Sequence, residues 1–184
     1  MPAMNPKLGV PLPSPLPALP LASRPLAPGA ERGRGIAYMP KAQRTDWRTP
    51  PALFDKLAAE FGPFDLDPCG AADSYASRHC AGYWADGGLD HPWWGRVFVN
   101  PPYGRELKWW VARCASSILR GETSLVVALL PSRTDTIWWH GLIGDHCQYP
   151  AEVRFLKGRL KFVGATASAP FPSVIVVWRR GNDA

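Results

Sequence analysis

The sequence predicts an α/β fold built around an open sheet, and two observations lead to this prediction. From Thr45 onward, short strand-like runs alternate with segments whose apolar residues recur at helical spacing. The run 125–130 is continuously apolar, which is typical of a strand buried on both faces of a parallel sheet. With 184 residues, of which 46% are apolar, the chain can form one domain with a substantial core.

The predicted elements follow in order along the chain. Pro50 and Pro51 open a helix that ends at Gly62, because proline suits the first helical turn and glycine often ends a helix. The elements after it are strand 64–67, strand 97–99, helix 105–120, strand 125–130, helix 134–143, strand 152–156 and strand 173–179. A basic turn at residues 157–162 separates the last two strands.

The apolar side of the helix 105–120 is read from its spacing. Its members are Leu107, Trp110, Val111, Cys114, Ile118 and Leu119. Two tryptophan pairs, Trp109-Trp110 and Trp138-Trp139, stand in helical settings, so one member of each pair is expected in the core.

Residues 1–41 form a Pro-rich tail, and residues 42–184 are expected to be the folded domain. Proline occupies nearly every second position between Pro11 and Pro20, which favours a disordered or polyproline-like segment. These prolines also interrupt any apolar core of a signal peptide. Since no stretch is long and apolar enough to cross a membrane, a cytoplasmic protein is expected.

Charge and cysteine usage narrow the partners only slightly. The formal net charge of +6 and the pI of about 9.4 suggest a polyanion. However, residues 1–41 carry +4 of that charge, so basicity alone does not identify nucleic acid as the partner. The cysteines Cys69, Cys80, Cys114 and Cys147 show no C-x-x-C spacing, so we expect reduced thiols and no metal site.

The motif Asn100-Pro101-Pro102-Tyr103 follows a predicted strand and can hold a planar amine. Proline after Asn100 keeps its backbone extended, and proline itself lacks an amide hydrogen. The Asn100 side-chain oxygen and the Pro101 carbonyl can therefore act as paired acceptors for one amino group. Tyr103 can offer a ring face on which a base stacks.

A second candidate site follows the strand 64–67, where Asp67 precedes the small-residue turn of Pro68, Cys69 and Gly70. Ligands of open α/β sheets bind at the carboxyl ends of strands, where both Asp67 and Asn100 fall. A carboxylate beside a helix start suits a cofactor with a cationic amine and a carboxylate. S-adenosylmethionine fits this description and carries an electrophilic methyl group for an amine to attack.

Taken in order, these motifs resemble those of the phage-type DNA N-6-adenine methyltransferases, the Dam family of phages and prophages. The resemblance covers roughly residues 45–180. Its motifs are residues 46–50 with Leu53 and Phe54, residues 64–69, residues 86–89 with Trp93 or Trp94, residues 100–104, residues 130–136 with Trp138, Trp139 and His140, residues 158–162 and residues 169–173.

The resemblance implies a Rossmann-like methyltransferase fold with an open, mostly parallel sheet and a C-terminal antiparallel strand. It implies that Asn100, Pro101, Pro102 and Tyr103 hold a flipped adenine in DNA. It also implies a cofactor site in which the methionine end of S-adenosylmethionine lies at Asp67, Pro68, Cys69 and Gly70. Thr49 and Pro50 would close over the cofactor, and Asp86 would contact its adenine, with Asp73 and Asp90 as competing candidates for that contact.

One feature departs from the amino-methyltransferase pattern, because Gly70-Ala71-Ala72 replaces the Gly-x-Gly of many cofactor loops. Ala72 lacks the conformational freedom of a second glycine, so a different loop geometry is expected.

The chemistry predicts extrusion of the adenine and direct methyl transfer without a covalent intermediate. Arg133, Arg159 and Lys161 are candidate DNA contacts because they lie in loops between apolar strands. No separate target-recognition domain of ordinary size fits, which favours a short or relaxed target sequence.

Three alternatives stay open. The same tetrapeptide serves amino-methyltransferases that act on N4 of cytosine, on RNA bases or on protein glutamine. A catalytically silent DNA-binding module with the same fold is the second alternative. The third is a scaffold that acts through the Pro-rich tail.

Overall fold

Residues 47–144 and 151–180 are the part of the chain that the computed structural model describes. They contain one six-stranded sheet whose strands are β1 (Leu66–Asp67), β2 (Gly82–Tyr83), β3 (Gly95–Val99), β4 (Thr123–Pro131), β5 (Glu152–Phe155) and β6 (Ser173–Arg179). The spatial order is β2-β1-β3-β4-β6-β5.

Strand directions confirm the predicted fold class. The pairs β1 with β2, β1 with β3, and β3 with β4 are parallel. Strand β6 lies between β4 and β5 and is antiparallel to both. Five described strands therefore run one way and β6 runs the other, which gives an open, mostly parallel sheet with a C-terminal antiparallel strand.

The helices in the described ranges are α1 (Pro51–Phe61), α2 (Tyr75–His79), α3 (Leu107–Leu119) and α4 (Ile137–Leu142). Helix α1 begins and ends as predicted, and Gly62 follows it with φ of +84°. Helix α4 begins later than the predicted residue 134, because the Thr136 hydroxyl donates a 2.7 Å hydrogen bond to the Arg133 carbonyl and holds residues 134–136 in a turn.

Strand β2 and helix α2 have no counterpart among the predicted elements. Two residues cannot display strand alternation, and five residues are too few to show helical periodicity. Strand β1 is also shorter than the predicted 64–67. Just before its start, the Asp65 carboxylate accepts a 2.7 Å bond from the Arg96 amide, and the Asp65 amide donates a 2.7 Å bond to the Arg96 carbonyl.

Helix α3 packs on the sheet with most of its predicted apolar side. Trp110 and Val111 are buried, whereas Leu119 in the last turn is 42% exposed, so its predicted place on the apolar side was wrong. Ser117 is buried in that turn instead, and its hydroxyl lies 3.0 Å from the Thr123 hydroxyl. Trp110 and Trp139 are the buried members of the tryptophan pairs, which confirms the expectation of one core member in each.

The order of the strands positions the site. After β1 the chain adds β2 on one side and then returns to place β3 on the other side of β1. Such a reversal opens a crevice at the carboxyl ends of the two central strands. Asp67 ends β1 and Asn100 follows β3, so both predicted sites meet at this crevice.

The described ranges hold neither a membrane-spanning helix nor a cluster of metal ligands. None of their helices combines the length and the apolar character that crossing a membrane requires. Nor do three or more His, Cys, Asp or Glu side chains in those ranges gather as metal ligands.

Candidate active site

A cavity of about 360 Å³ lies at the carboxyl ends of β1 and β3. The predicted site residues that line it are Thr49, Asp67, Pro68, Cys69, Gly70, Asp86, Asn100 and Pro102. Pro50, Pro101 and Tyr103 do not line it. The cavity therefore joins the loop after β1 to the loop after β3, which are the two candidate sites of the sequence.

Asp67 is a buried carboxylate on the wall of this cavity. Its Oδ2 accepts a 2.7 Å hydrogen bond from the Ser77 hydroxyl, and its Oδ1 accepts a 3.1 Å bond from the Cys69 amide. Burial raises the pKa of Asp67 to about 6, although both hydrogen bonds act in the opposite direction. Each carboxylate oxygen still has capacity for another donor.

The loop after β1 depends on close approach of the backbone. A Cβ on Gly70 would lie 2.6 Å from the Tyr83 Cβ, and a Cβ on Gly88 would lie 1.8 Å from the Pro68 carbonyl oxygen. Gly88 was not among the predicted site residues, and its signal in the sequence is the Gly87-Gly88 doublet. Since Gly70 and Ala72 both avoid positive φ, the loop accommodates alanine where many amino-methyltransferases have glycine.

Of the three candidate carboxylates for the cofactor adenine, Asp86 lines the cavity. Asp73 instead forms an ion pair with Arg48, which lowers the pKa of the Asp73 carboxyl. Asp90 is exposed and is not part of the cavity wall. The position of Asp86, next to the glycine doublet and beyond β2, makes it the best placed of the three.

Asn100 presents its amide oxygen, not its amide nitrogen, as the free group. The nitrogen Nδ2 donates to the Trp47 carbonyl and, at 3.0 Å, to the Thr49 hydroxyl. The oxygen Oδ1 is buried and has no hydrogen-bond partner among the described residues. An orphaned buried acceptor is costly, and such groups often mark functional sites.

The neighbouring Pro101 offers a second acceptor. Its carbonyl accepts no backbone hydrogen bond from the part of the chain that the structure describes. As the sequence predicted, proline carbonyls at this point stay outside the ladder, because no strand continues beyond Val99.

Tyr103 is buried, so its ring is not an open face of the kind that the predicted base stacking needs. Its hydroxyl donates a 3.0 Å hydrogen bond to the Leu129 carbonyl, and burial raises the pKa of Tyr103 well above its ordinary value. Its ring meets Phe171 and Phe162 at steep angles, with centroid distances of 5.4 and 6.1 Å. In this conformation, stacking on Tyr103 requires rearrangement of these neighbours.

Trp47, Phe162 and Phe171 form an aromatic cap, in which Phe162 and Phe171 contact Tyr103 and Trp47 packs against both. The Trp47 ring lies 5.0 Å from Phe162 and 5.4 Å from Phe171. All three residues lie within the sequence motifs described above, but no role was predicted for any of them. Their contact joins segments more than a hundred residues apart, which no local pattern reveals.

Residues 47–49 form a strap that crosses the site. Arg48 pairs with Asp73 in the loop after β1, and the Arg48 carbonyl accepts a 3.0 Å bond from the Val163 amide. The Trp47 carbonyl and the Thr49 hydroxyl bind Asn100. The strap therefore ties the Asp67 side of the cavity to the Asn100 side.

The predicted DNA contacts lie outside the cavity but at the same edge of the sheet. Arg133 follows β4, while Arg159 and Lys161 follow β5, and both strands end at the carboxyl edge. Arg159 donates a 3.4 Å hydrogen bond to the Pro170 carbonyl. None of the three forms an ion pair with another described residue.

The described cysteines have no activated thiolate. Burial raises the pKa of Cys80 to about 12 and raises the pKa values of Cys69 and Cys114 as well. A thiol must ionise to act as a nucleophile, so these cysteines are unsuited to that task. Cys147 lies outside the described residues.

Comparison with known proteins gives one family. Residues 37–182 match the family described as DNA N-6-adenine-methyltransferase (Dam). No curated protein matches the sequence closely enough to count as a relative. The matched range contains every described strand and helix, together with the cavity, the strap and the aromatic cap.

Proposed function

Because the chain belongs to the DNA N-6-adenine-methyltransferase (Dam) family, we propose that it transfers a methyl group from S-adenosylmethionine directly to N6 of an adenine extruded from duplex DNA. Membership makes the chain an adenine-specific DNA methyltransferase. Beyond membership, we propose the identity of the cofactor, the extrusion of the base and the role of each residue. The orphaned Asn100 Oδ1 carries it, because an amide oxygen without a partner at the end of β3 suits an amine ligand.

The cavity fits S-adenosylmethionine by the chemistry of its walls. Methyltransferases of this family generally depend on that cofactor. The buried Asp67 oxygens have acceptor capacity for a cationic amine. The close approaches of Gly70 to Tyr83 and of Gly88 to Pro68 hold the loops of the cavity wall against their neighbours. The cofactor supplies an electrophilic methyl group when bound.

Particular residues would hold each part of the cofactor. Asp67 with the turn of Pro68, Cys69 and Gly70 would bind the methionine end, and Asp86 would contact the adenine. Thr49, on the cavity wall, and Pro50, beside it at the start of α1, would close over the bound molecule. Exclusion of water by this closure strengthens the polar contacts within the site.

The base side of the site would activate the amine. A ring amine is a poor nucleophile because its lone pair is delocalised into the ring. Asn100 Oδ1 and the Pro101 carbonyl, acting as acceptors for the two N6 hydrogens, would favour a localised lone pair. They would also stabilise the positive charge that develops on N6 in the transition state. No side chain needs to form a covalent bond.

Extrusion of the adenine costs a few kcal/mol, which pocket hydrogen bonds and stacking offset. Tyr103 would provide the stacking face together with Pro102, once Phe162 and Phe171 move from the Tyr103 ring. Arg133, Arg159 and Lys161 would contact phosphates at the same edge of the sheet. Such short loops favour a short or relaxed target sequence.

This proposal assigns catalysis to residues 42–184 and keeps residues 1–41 as a tail outside the methyltransferase domain. An enzyme that acts on DNA would work in the cytoplasm of a bacterial host. It needs no metal ion for the transfer, because the methyl donor is already activated.

Methyl transfer by wild type and by Asn100→Ala tests the proposal. With radiolabelled S-adenosylmethionine and DNA, we expect the wild type to label DNA and the variant to lose at least about a hundredfold in kcat, in line with removal of one transition-state hydrogen bond. Cofactor binding, measured by calorimetry, should be largely kept. Nucleoside analysis should identify N6-methyladenine. Equal transfer by both proteins, or a product such as N4-methylcytosine, would refute the assignment.

A further inference from the structure

We propose that Thr49 is a positioning residue that holds the Asn100 amide with its oxygen turned toward the substrate amine. This inference rests on the proposed function and assigns Thr49 a role beyond closure over the cofactor. The observation behind it is the 3.0 Å hydrogen bond from Asn100 Nδ2 to Thr49 Oγ1.

The orientation of an asparagine amide decides what it can bind. The two ends of the amide are similar in shape, but one end donates hydrogen bonds and the other accepts them. The substrate NH2 group donates hydrogen bonds and needs acceptors. A reversed Asn100 amide would point its own NH2 group at the substrate NH2 group, and two donors would then face each other. The site must therefore select one of two nearly isosteric orientations.

One contact of the strap selects the orientation, and a second contact fixes the selected orientation in place. The Trp47 carbonyl can only accept, so it requires the nitrogen end of the amide. The Thr49 hydroxyl accepts the second hydrogen of the same nitrogen. With both amide hydrogens used within the strap, Oδ1 is the group left over, and it is buried without a partner among the described residues.

The burial of Thr49 makes its contribution larger than that of an exposed hydroxyl. Thr49 is 3% exposed, so water cannot readily replace its oxygen as the acceptor for Nδ2. Removal of the hydroxyl would leave one amide hydrogen unsatisfied in a buried place, and the amide would gain freedom to tilt. A misplacement of about 1 Å in a reacting group can cost on the order of a hundredfold in rate.

A positioning role and a cofactor contact give different kinetic signatures. If Thr49 acts through Asn100, its removal lowers kcat at saturating cofactor and DNA. If Thr49 acts only by binding the cofactor, its removal raises the Kd for S-adenosylmethionine and leaves the saturated rate unchanged.

The test compares Thr49→Val, which is isosteric but lacks the hydroxyl, with Thr49→Ser, which retains it. Thr123→Val is the matched control, because Thr123 is 2% exposed and its hydroxyl also makes a 3.0 Å hydrogen bond, to Ser117, at the start of β4 and the opposite edge of the sheet. It therefore reports the general effect of losing a buried threonine hydroxyl.

Two readouts apply to all three variants. The first is kcat with the Kd for S-adenosylmethionine measured separately. The second is the side-chain amide signal of Asn100 in ¹⁵N-labelled protein, assigned by its absence in Asn100→Ala. This signal reports the hydrogen bond directly and needs no catalytic activity.

We expect Thr49→Val to lower kcat by about tenfold or more while the Kd for the cofactor changes by less than about threefold. The Asn100 signal should move in Thr49→Val only. Thr49→Ser should recover most of kcat, and Thr123→Val should keep it. Thr49→Ala repeats the comparison if Thr49→Val does not fold.

Full kcat with a weakened cofactor Kd in Thr49→Val would overturn the inference, as would an unmoved Asn100 signal. The failure of the proposed function looks different, because wild-type protein would then not methylate adenine in DNA. In that case the Asn100 signal still decides whether Thr49 orients the amide.

Discussion

Asp67 shows how the setting of one residue would link the proposed cofactor binding to pH. Its buried carboxylate accepts hydrogen bonds from the Cys69 amide and from the Ser77 hydroxyl. Burial raises its pKa to about 6, so a substantial fraction is protonated in mildly acidic solution. Since the folded form holds the proton more tightly than the unfolded chain, the contribution of Asp67 to stability falls as the pH rises from about 3.8 to about 6.

Cofactor binding should depend on pH in the opposite direction. A cationic amine prefers the ionised carboxylate, so we expect the affinity for S-adenosylmethionine to rise from about pH 5 to about pH 7 and then to level off. Asp67→Asn should bind more weakly at pH 8 and should lose this dependence. Calorimetry from about pH 5 to about pH 8 measures both effects. An affinity that does not change with pH in the wild type would contradict a contact between Asp67 and the amine.

At the scale of elements, the loops after β1 and β2 form one unit because they touch without side chains between them. A Cβ at Gly88 would lie 1.8 Å from the Pro68 carbonyl oxygen, which is part of the backbone and cannot rotate away. The Gly88 carbonyl also accepts a 2.7 Å hydrogen bond from the Trp93 indole. The geometry of the cavity wall thus depends on the absence of a Cβ at position 88.

Gly88→Ala should therefore separate the two loops. We expect a loss of roughly 1–3 kcal/mol in stability, together with a raised Kd for S-adenosylmethionine. Gly141→Ala is the control, because a Cβ at that position in α4 meets nothing within 4 Å. Thermal denaturation and calorimetry of both variants measure the difference. A Gly88→Ala protein with unchanged stability and Kd would contradict this account of the loops.

The elements that the sequence predicted well are those with enough residues to show a period. Strand β6 and helix α1 are long and keep their expected bounds closely, whereas β2 and α2 are too short to produce a pattern. The positions of Asp67 and Asn100 followed from strand ends, whereas Asp86 followed from the family resemblance, and all three line one cavity. Contacts between distant segments were beyond prediction, because the bond from Asn100 to Thr49 spans 51 positions and nothing local signals it.

For the whole molecule, the carboxyl edge of the sheet collects both the cavity and the predicted DNA contacts. The loops after β4 and β5 bring Arg133, Arg159 and Lys161 to that edge. Their charges form no ion pair within the described ranges, so they are available for phosphate groups. The amino edge carries charges too, but Arg120 there lies 3.7 Å from Glu122.

Salt dependence tests this assignment. Each phosphate contact that is lost should reduce the slope of log K against log salt concentration by about one. We expect Arg159→Ala and Lys161→Ala each to lower the slope, whereas Arg120→Ala, at the opposite edge, should leave it unchanged. DNA-binding titrations from low to moderate salt measure the slopes. If Arg159→Ala and Lys161→Ala show the same slope as Arg120→Ala and wild type, then Arg159 and Lys161 do not contact DNA phosphates.

The strap has a consequence for where the functional protein begins. Every described strand and helix lies at or after Pro51, so a chain shortened to start there would still contain the residues of all these elements. The same shortened chain would lack the Trp47 carbonyl, the Thr49 hydroxyl and the partner of Asp73. Residues 47–49 belong to no helix or strand of the sheet, yet they supply both partners of the Asn100 amide nitrogen. A truncation that spares every element of the sheet would therefore still dismantle the candidate site.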